Sequence, residues 1–120
     1  MKFYSTILAA SFLIALAGCA GGGPSAEATS GYNALKAGNY AKARTDLEKA
    51  YAKAPNDPYV QLNLGAAYQN TGEMAKARDL FTKVLVSGKN EVATDSSDPN
   101  KTGQTLAQIA QANLDRLPAR

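Results

Sequence analysis

Histidine and tryptophan are absent from the 120 residues, and cysteine occurs once. Each absence removes a class of function. Without histidine there is no imidazole to act as a base or proton relay near neutral pH. A single cysteine cannot close an intramolecular disulfide. Nor can it supply a zinc site of the Cys/His kind, which needs several such ligands. Neither sign of charge dominates: 13 Lys and Arg stand against 10 Asp and Glu, and the surplus falls by one when Lys2 is set aside. The basic stripe that nucleic acid requires is therefore missing. Long apolar runs are missing too. The longest, Phe3 to Leu16, is shorter than the 20 or so residues that span a bilayer. Glycine and proline are sparse after residue 38, while alanine is plentiful and apolar content is 45%. What remains is a chain long enough for one modest helical core and too short for two.

The N-terminal segment is organised differently. Residues 1–18 open on Met1-Lys2, run almost wholly apolar to Leu16, and end on Ala17-Gly18. A basic start, an apolar run and small residues at its end form the pattern of a secretory signal peptide. The single cysteine follows at once, in Leu16-Ala17-Gly18-Cys19. These four residues resemble the lipobox of bacterial lipoproteins. The resemblance implies cleavage before Cys19, a diacylglyceryl thioether on its sulfur, and an acyl group such as palmitate on its freed amino group. By the sorting rule of enteric lipoproteins, Ala20 in place of Asp favours the outer membrane, facing the periplasm. Residues 19–26 then read as lipidated cysteine and Gly-rich tether. A phosphate-binding loop is excluded there, because no Gly-Lys-Ser/Thr follows and no strand precedes.

The mature part repeats itself. Shifted by 34 residues, Gly31 falls on Gly65, Gly38 on Gly72, and Ala41-Lys42-Ala43-Arg44 on Ala75-Lys76-Ala77-Arg78. Leu47 falls on Phe81 and Ala50 on Val84. Leu64, Tyr68, Leu80, Phe81, Val84 and Leu85 recur at three- and four-residue spacings, the sign of buried helical faces. Asn39 can cap a helix beginning near Tyr40, and Asp57-Pro58 is a cap followed by a first-turn proline. Gly38 and Gly72 suit turns that need positive φ. The spacing predicts helices near 26–37, 40–53, 59–71 and 74–87.

Period and marker residues together resemble the tetratricopeptide repeat, a helix–turn–helix unit. Unit two, residues 58–91, carries Leu64-Gly65, Tyr68, Gly72, Ala77, Phe81 and Val84 at the family's marker positions. Unit one, residues 27–57, shows Gly31, Gly38, Tyr40, Ala43, Leu47, Ala50 and Pro55, with Ala34 where a Tyr is usual and Glu27 where a bulky residue is usual. The resemblance implies an all-α fold, a short α-solenoid of two units.

A third unit in register would place its glycine at 99, which is Pro, so the array is interrupted. Residues 92–104 read as a polar loop. A last helix follows over 105–117, with Thr105 and Gln108 as a capping box. Leu106, Ile109, Ala110, Leu114 and Leu117 form its apolar stripe, and Gln104, Gln108, Gln111, Asp115 and Arg116 its wet face. This is the pattern of a helix that caps the last repeat.

No constellation for catalysis, cofactor or metal is found. Asp46 and Glu48 sit among Lys42, Arg44 and Lys49 as surface pairs, and Asp79 among Lys76 and Lys83. Asp95 and Asp98 fail the EF-hand pattern, since Asn100 stands at its turn glycine and Leu106 at its terminal Glu. The functional candidate is the concave face. Carrying the family's groove positions across implies Tyr32, Leu35 and Lys36 from unit one, and Tyr59, Leu62, Ala66, Gln69 and Asn70 from unit two. Tyrosines, amides and a lysine suit an extended peptide or a partner helix. Only Lys36 and Asn63 could contribute to the clamp by which some family members hold a terminal carboxylate, so that specialisation is not expected. The chain therefore reads as a non-enzymatic, lipid-anchored adaptor that binds another envelope protein. An assembly factor (pilotin) for an outer-membrane secretion or pilus channel is the alternative, and a purely structural, self-associating lipoprotein is the third reading.

Overall fold

The structure is a computed structural model that describes residues 23–94 and 99–119. The signal peptide, Cys19, and Asp95 and Asp98 lie outside the described residues. Among the described residues there are five α-helices: α1 Ala26–Lys36, α2 Tyr40–Lys53, α3 Pro58–Asn70, α4 Met74–Ser87 and α5 Leu106–Arg116. A 3-10 turn, Pro99–Lys101, and an isolated antiparallel bridge between Val92 and Thr105 complete the regular structure of the described residues. The all-α expectation holds, and each helix lies where the periodicity predicts it.

The helix ends show why. Asn39 Oδ1 accepts from the Lys42 N–H at 3.2 Å, and Asp57 Oδ1 from the Tyr59 N–H at 2.8 Å. Thr105 and Gln108 form the reciprocal capping box, at 3.1 and 2.8 Å. At the start of α1, where Glu27 departs from the family pattern, Ser25 caps the helix and Glu27 pairs with Lys53 at 2.5 Å. Gly38 and Gly72 close both intra-unit turns at φ 77° and 86°. Each turn carries the same backbone bond one period apart, Asn39 N–H to Ala34 O and Glu73 N–H to Tyr68 O. Such bonds satisfy carbonyls that a helix end leaves orphaned.

Consecutive helices pack on one another from α1 to α5, and α3 also touches α1 and α5. Small residues set the close approaches. Ala43 and Ala77 are fully buried. A Cβ on Gly65 would lie 2.6 Å from Phe81 Cε1, and one on Gly31 would overlap Leu47. Phe81, Leu47, Leu64, Leu106 and Val84 are the largest fully buried side chains, so α5 contributes to the same core as the two repeats.

Polar contacts across the units refine the surface-pair reading. Lys42–Asp46 and Arg44–Glu48 are the expected i,i+4 pairs, at 2.5 and 3.2 Å. Arg44 also reaches Glu73 of unit two at 3.3 Å, and Tyr68 donates to Glu48 at 2.8 Å. Arg44 and Lys76 stand 5.5 and 5.2 Å from the Tyr68 ring centroid. Asp79 makes no close ion pair among the described residues, although, after the Tyr51 hydroxyl, its charge also helps raise the Lys83 pKa. Lys76 pairs with Glu73 at 3.5 Å, and Lys83 donates to the Tyr51 hydroxyl at 2.9 Å, because helix packing brings Tyr51 of α2 within its reach. Gln61, whose burial the sequence does not signal, donates to Pro55 O at 2.7 Å and accepts from Ser87 at 2.5 Å.

The polar connection after α4 is tied at both ends. Ala93 is buried, its N–H donates to Gln104 O, and Leu106 N–H donates to Glu91 O at 2.7 Å.

Candidate functional site

Helices α1, α3 and α5 line a groove of about 840 Å³. Seven of the eight residues expected there do line it: Tyr32, Leu35, Tyr59, Leu62, Ala66, Gln69 and Asn70. Lys36 does not. It lies one turn beyond Tyr32, off the lining stripe, and its ammonium stands 5.0 Å from the centroid of the Tyr32 ring.

The seven differ in what they can offer. Leu62 is buried and belongs to the core as much as to the groove floor. Tyr59 is 39% exposed, yet its hydroxyl already donates to Val92 O at 2.9 Å, which ties α3 to the connection before α5. Asn70 donates back to Ala66 O at 2.8 Å within its own helix. Gln69 makes no side-chain hydrogen bond among the described residues, and neither does Asn63 beside it in the lining.

The lining positions form a regular stripe. On α1 they include Ala28, Tyr32 and Leu35, and 34 residues on, on α3, Leu62, Ala66 and Gln69. On α5 they include Ile109, Asn113 and Arg116, a further 47 residues on. The steps within the stripe are identical, four residues then three, because each helix turns the same face inward. In its groove-facing role α5 is thus the first helix of a third unit, displaced by an insertion of 13 residues relative to the 34-residue period. These three residues fall outside the 34-residue shift because of the insertion before α5. The signal that finds them is the spacing inside α5.

Asn113 is 7% exposed, and its carboxamide makes no hydrogen bond among the described residues. Its amide nitrogen and oxygen are nonetheless not fully buried, so solvent can reach them. The charged lining residues are Asp57, Lys101 and Arg116. Asp57 is committed to capping α3, where it accepts from the N–H groups of Tyr59 and Val60. Lys101 and Arg116 form no ion pair among the described residues. No group of three or more His, Cys, Asp or Glu that could hold a metal occurs among the described residues. What the groove offers is hydrogen bonding and apolar contact.

Comparison with known proteins places this geometry. The family model described as tetratricopeptide repeat matches residues 34–94, about half of the chain. Cellulose synthase operon protein C of Xanthomonas axonopodis pv. citri (strain 306) is 32% identical over 91 residues, 71% of this chain. The matched part is 6% of that protein, so the chain spans only a small piece of this relative's length. No solved structure matches.

Proposed function

The chain belongs to the tetratricopeptide repeat family, and on that premise we propose that it is an envelope adaptor. Held to a bacterial membrane by acylated Cys19, it binds a segment of another envelope protein in the groove of α1, α3 and α5. Repeats of this kind are typically interaction modules without chemistry of their own. The observation that carries the reading is the stripe repeated on three helices, with the Asn63, Gln69 and Asn113 amides uncommitted along it. Such amides can pair with the backbone of an extended segment, while Tyr32, Leu35 and Ile109 supply apolar contact. Anchoring rests on the Leu16 to Cys19 motif, and the Gly-rich tether would let the domain move at the membrane surface. From the Xanthomonas relative only the repeat scaffold is carried over, since so little of that protein is shared.

Site-specific photo-cross-linking in cells tests the proposal. A photoreactive residue at Gln69 should give one discrete adduct with another protein. The same residue at Lys49, exposed on α2 outside the groove lining, should not. Adducts at both positions alike, or at neither, would refute groove binding. An adduct at twice the chain's own mass would identify self-association instead.

A further inference from the structure

We infer that the layer behind the groove, helices α2 and α4, is a cationic face that rests on anionic phospholipid headgroups and turns the groove away from the bilayer. This rests on the anchoring reading above and adds how the anchored domain lies.

Charges nearly balance over the whole chain, yet the fold sorts them by layer. Helices α1, α3 and α5 line the groove, and each has no net charge: α1 and α5 hold one acid and one base, and α3 holds neither. Helices α2 and α4 lie behind them, since no residue of α4 and only Tyr40 of α2 enters the lining. These two carry four and three Lys or Arg against two and one Asp or Glu. The sorting follows the repeat. Lys42, Arg44 and Lys49 recur 34 residues on as Lys76, Arg78 and Lys83, whereas Asp46, Glu48 and Asp79 have no acidic counterpart. Lys42 and Lys49 stand seven residues apart, as do Lys76 and Lys83, which is two helical turns less about 20°. Each helix therefore bears a stripe of cations. The contacts of Lys83 with Tyr51 and of Arg44 with Glu73 hold the two helices side by side.

These charges are not used up within the fold. Lys49 and Lys83 form no ion pair among the described residues. Lys42, Lys53 and Lys76 have carboxylate partners, but their side chains remain 52%, 60% and 56% exposed. Pairs so exposed contribute little, so phosphate oxygens can share the ammonium groups. Val86 is the independent observation. It is 81% exposed, more than any other large apolar side chain among the described residues, and lies one turn after Lys83. An apolar side chain beside cations on a helix surface suits the headgroup region of a bilayer.

The tether points to lipid as the occupant. Lys53 at the end of α2 pairs with Glu27 in the first turn of α1, so this layer ends beside the point where the tether joins. From Cys19 to Pro24 the chain reaches about 17 Å when extended, at roughly 3.3–3.6 Å per residue. Packed helix axes lie about 8–10 Å apart, and a helix adds about 5 Å of radius. The tether is thus long enough to bring the outer surface of α2 down onto the bilayer that holds Cys19. At that separation a negative surface attracts each Lys and Arg.

Headgroup quenching on the mature protein, reconstituted in vesicles, tests the inference. A fluorophore is placed on Ala52→Cys, exposed on α2 one period before Val86, or on Gln69→Cys, in the groove. In vesicles of equal parts phosphatidylglycerol and phosphatidylcholine, a nitroxide-headgroup lipid should quench position 52 and spare position 69. The selectivity should vanish in pure phosphatidylcholine, and in about 1 M salt, where the Debye length falls to about 3 Å. Lys49→Glu with Lys83→Glu should abolish it while the circular dichroism spectrum stays unchanged. Lys101→Glu with Arg116→Glu, an equal change of charge in the groove lining, should leave it intact. Equal quenching at both positions, quenching at 69 alone, or selectivity indifferent to lipid charge would overturn the inference. Flotation with neutral vesicles reads the anchor separately. If the wild type does not float there, the anchor falls, and the difference between positions 52 and 69 on anionic vesicles still judges the face. If it floats but shows no selectivity, the anchor stands and this inference falls.

Discussion

Gly65→Ala sets two effects of opposite sign against each other. In a helix interior Ala is favoured over Gly by about 0.5–1 kcal/mol, so propensity alone predicts a more stable protein. The packing predicts the reverse. The new methyl would lie 2.6 Å from Phe81 Cε1 and 2.9 Å from Cδ1. Phe81 is fully buried, so its ring has no open space to retreat into. Overpacking of a filled core costs about 1–3 kcal/mol, which outweighs the propensity gain by about 0.5–2 kcal/mol. For a domain of this size each kcal/mol moves the melting temperature by roughly 4–8 °C, so Gly65→Ala should melt about 2–16 °C lower. A matched pair supplies the control. At exposed Lys49 in mid-α2 the Ala variant should melt above the Gly variant, because only propensity acts there. Thermal melts followed by circular dichroism read both. If Gly65→Ala melts higher than the wild type, α3 and α4 do not approach as closely as the packing requires, and the reasoning is refuted.

Other expectations follow from the same physics. Tyr68 has its pKa pushed up to about 12 by burial and by its hydrogen bond to Glu48. Because the folded state holds this proton more tightly than the unfolded chain, its stabilising effect is complete below about pH 10 and is lost as the pH rises towards 12. Tyr68→Phe should flatten that part of the melting-temperature profile, and an unchanged profile would place the alkaline loss elsewhere. Truncation after Thr102 removes the buried Leu106, Ile109, Ala110 and Leu117. Each large apolar side chain there is worth about 1.5–3 kcal/mol, so the shortened chain should lose its cooperative melt, and a monomer melting at the full-length temperature would show that α5 is not needed. Cys19→Ala should release the protein from the membrane fraction and block processing at the lipobox. Retention in membranes at mature size would sink the lipoprotein reading.

Several features were legible in the sequence because their causes are local. The caps at Asn39, Asp57 and Thr105 act within three residues of themselves. Gly38 and Gly72 are written by a backbone angle that other residues rarely adopt. The 34-residue period announces itself because each unit must present the same small and large residues to its neighbour. Seven of the eight residues carried over from the family's groove positions line the groove; Lys36 does not, although Asn70, its counterpart one period on, does.

What tertiary structure alone decided lies between elements. Glu48 reads as a partner for Arg44, yet it also accepts from Tyr68, and Arg44 crosses to Glu73. Lys83 bonds the Tyr51 hydroxyl of α2 while still feeling the Asp79 charge. Gln61 is buried because Pro55, just before α3, and Ser87, at the end of α4, meet its amide from both ends. The largest such decision concerns α5. Its amphipathic pattern marks a capping helix, and it does complete the core. Only its docking beside α3 turns Ile109, Asn113 and Arg116 into a third groove wall. Helix-forming and capping preferences are properties of a few neighbouring residues, so a sequence carries them openly. The position of α5 is set by how a whole apolar face fits against α4 after an insertion of no fixed length, and that fit exists only once the chain has folded.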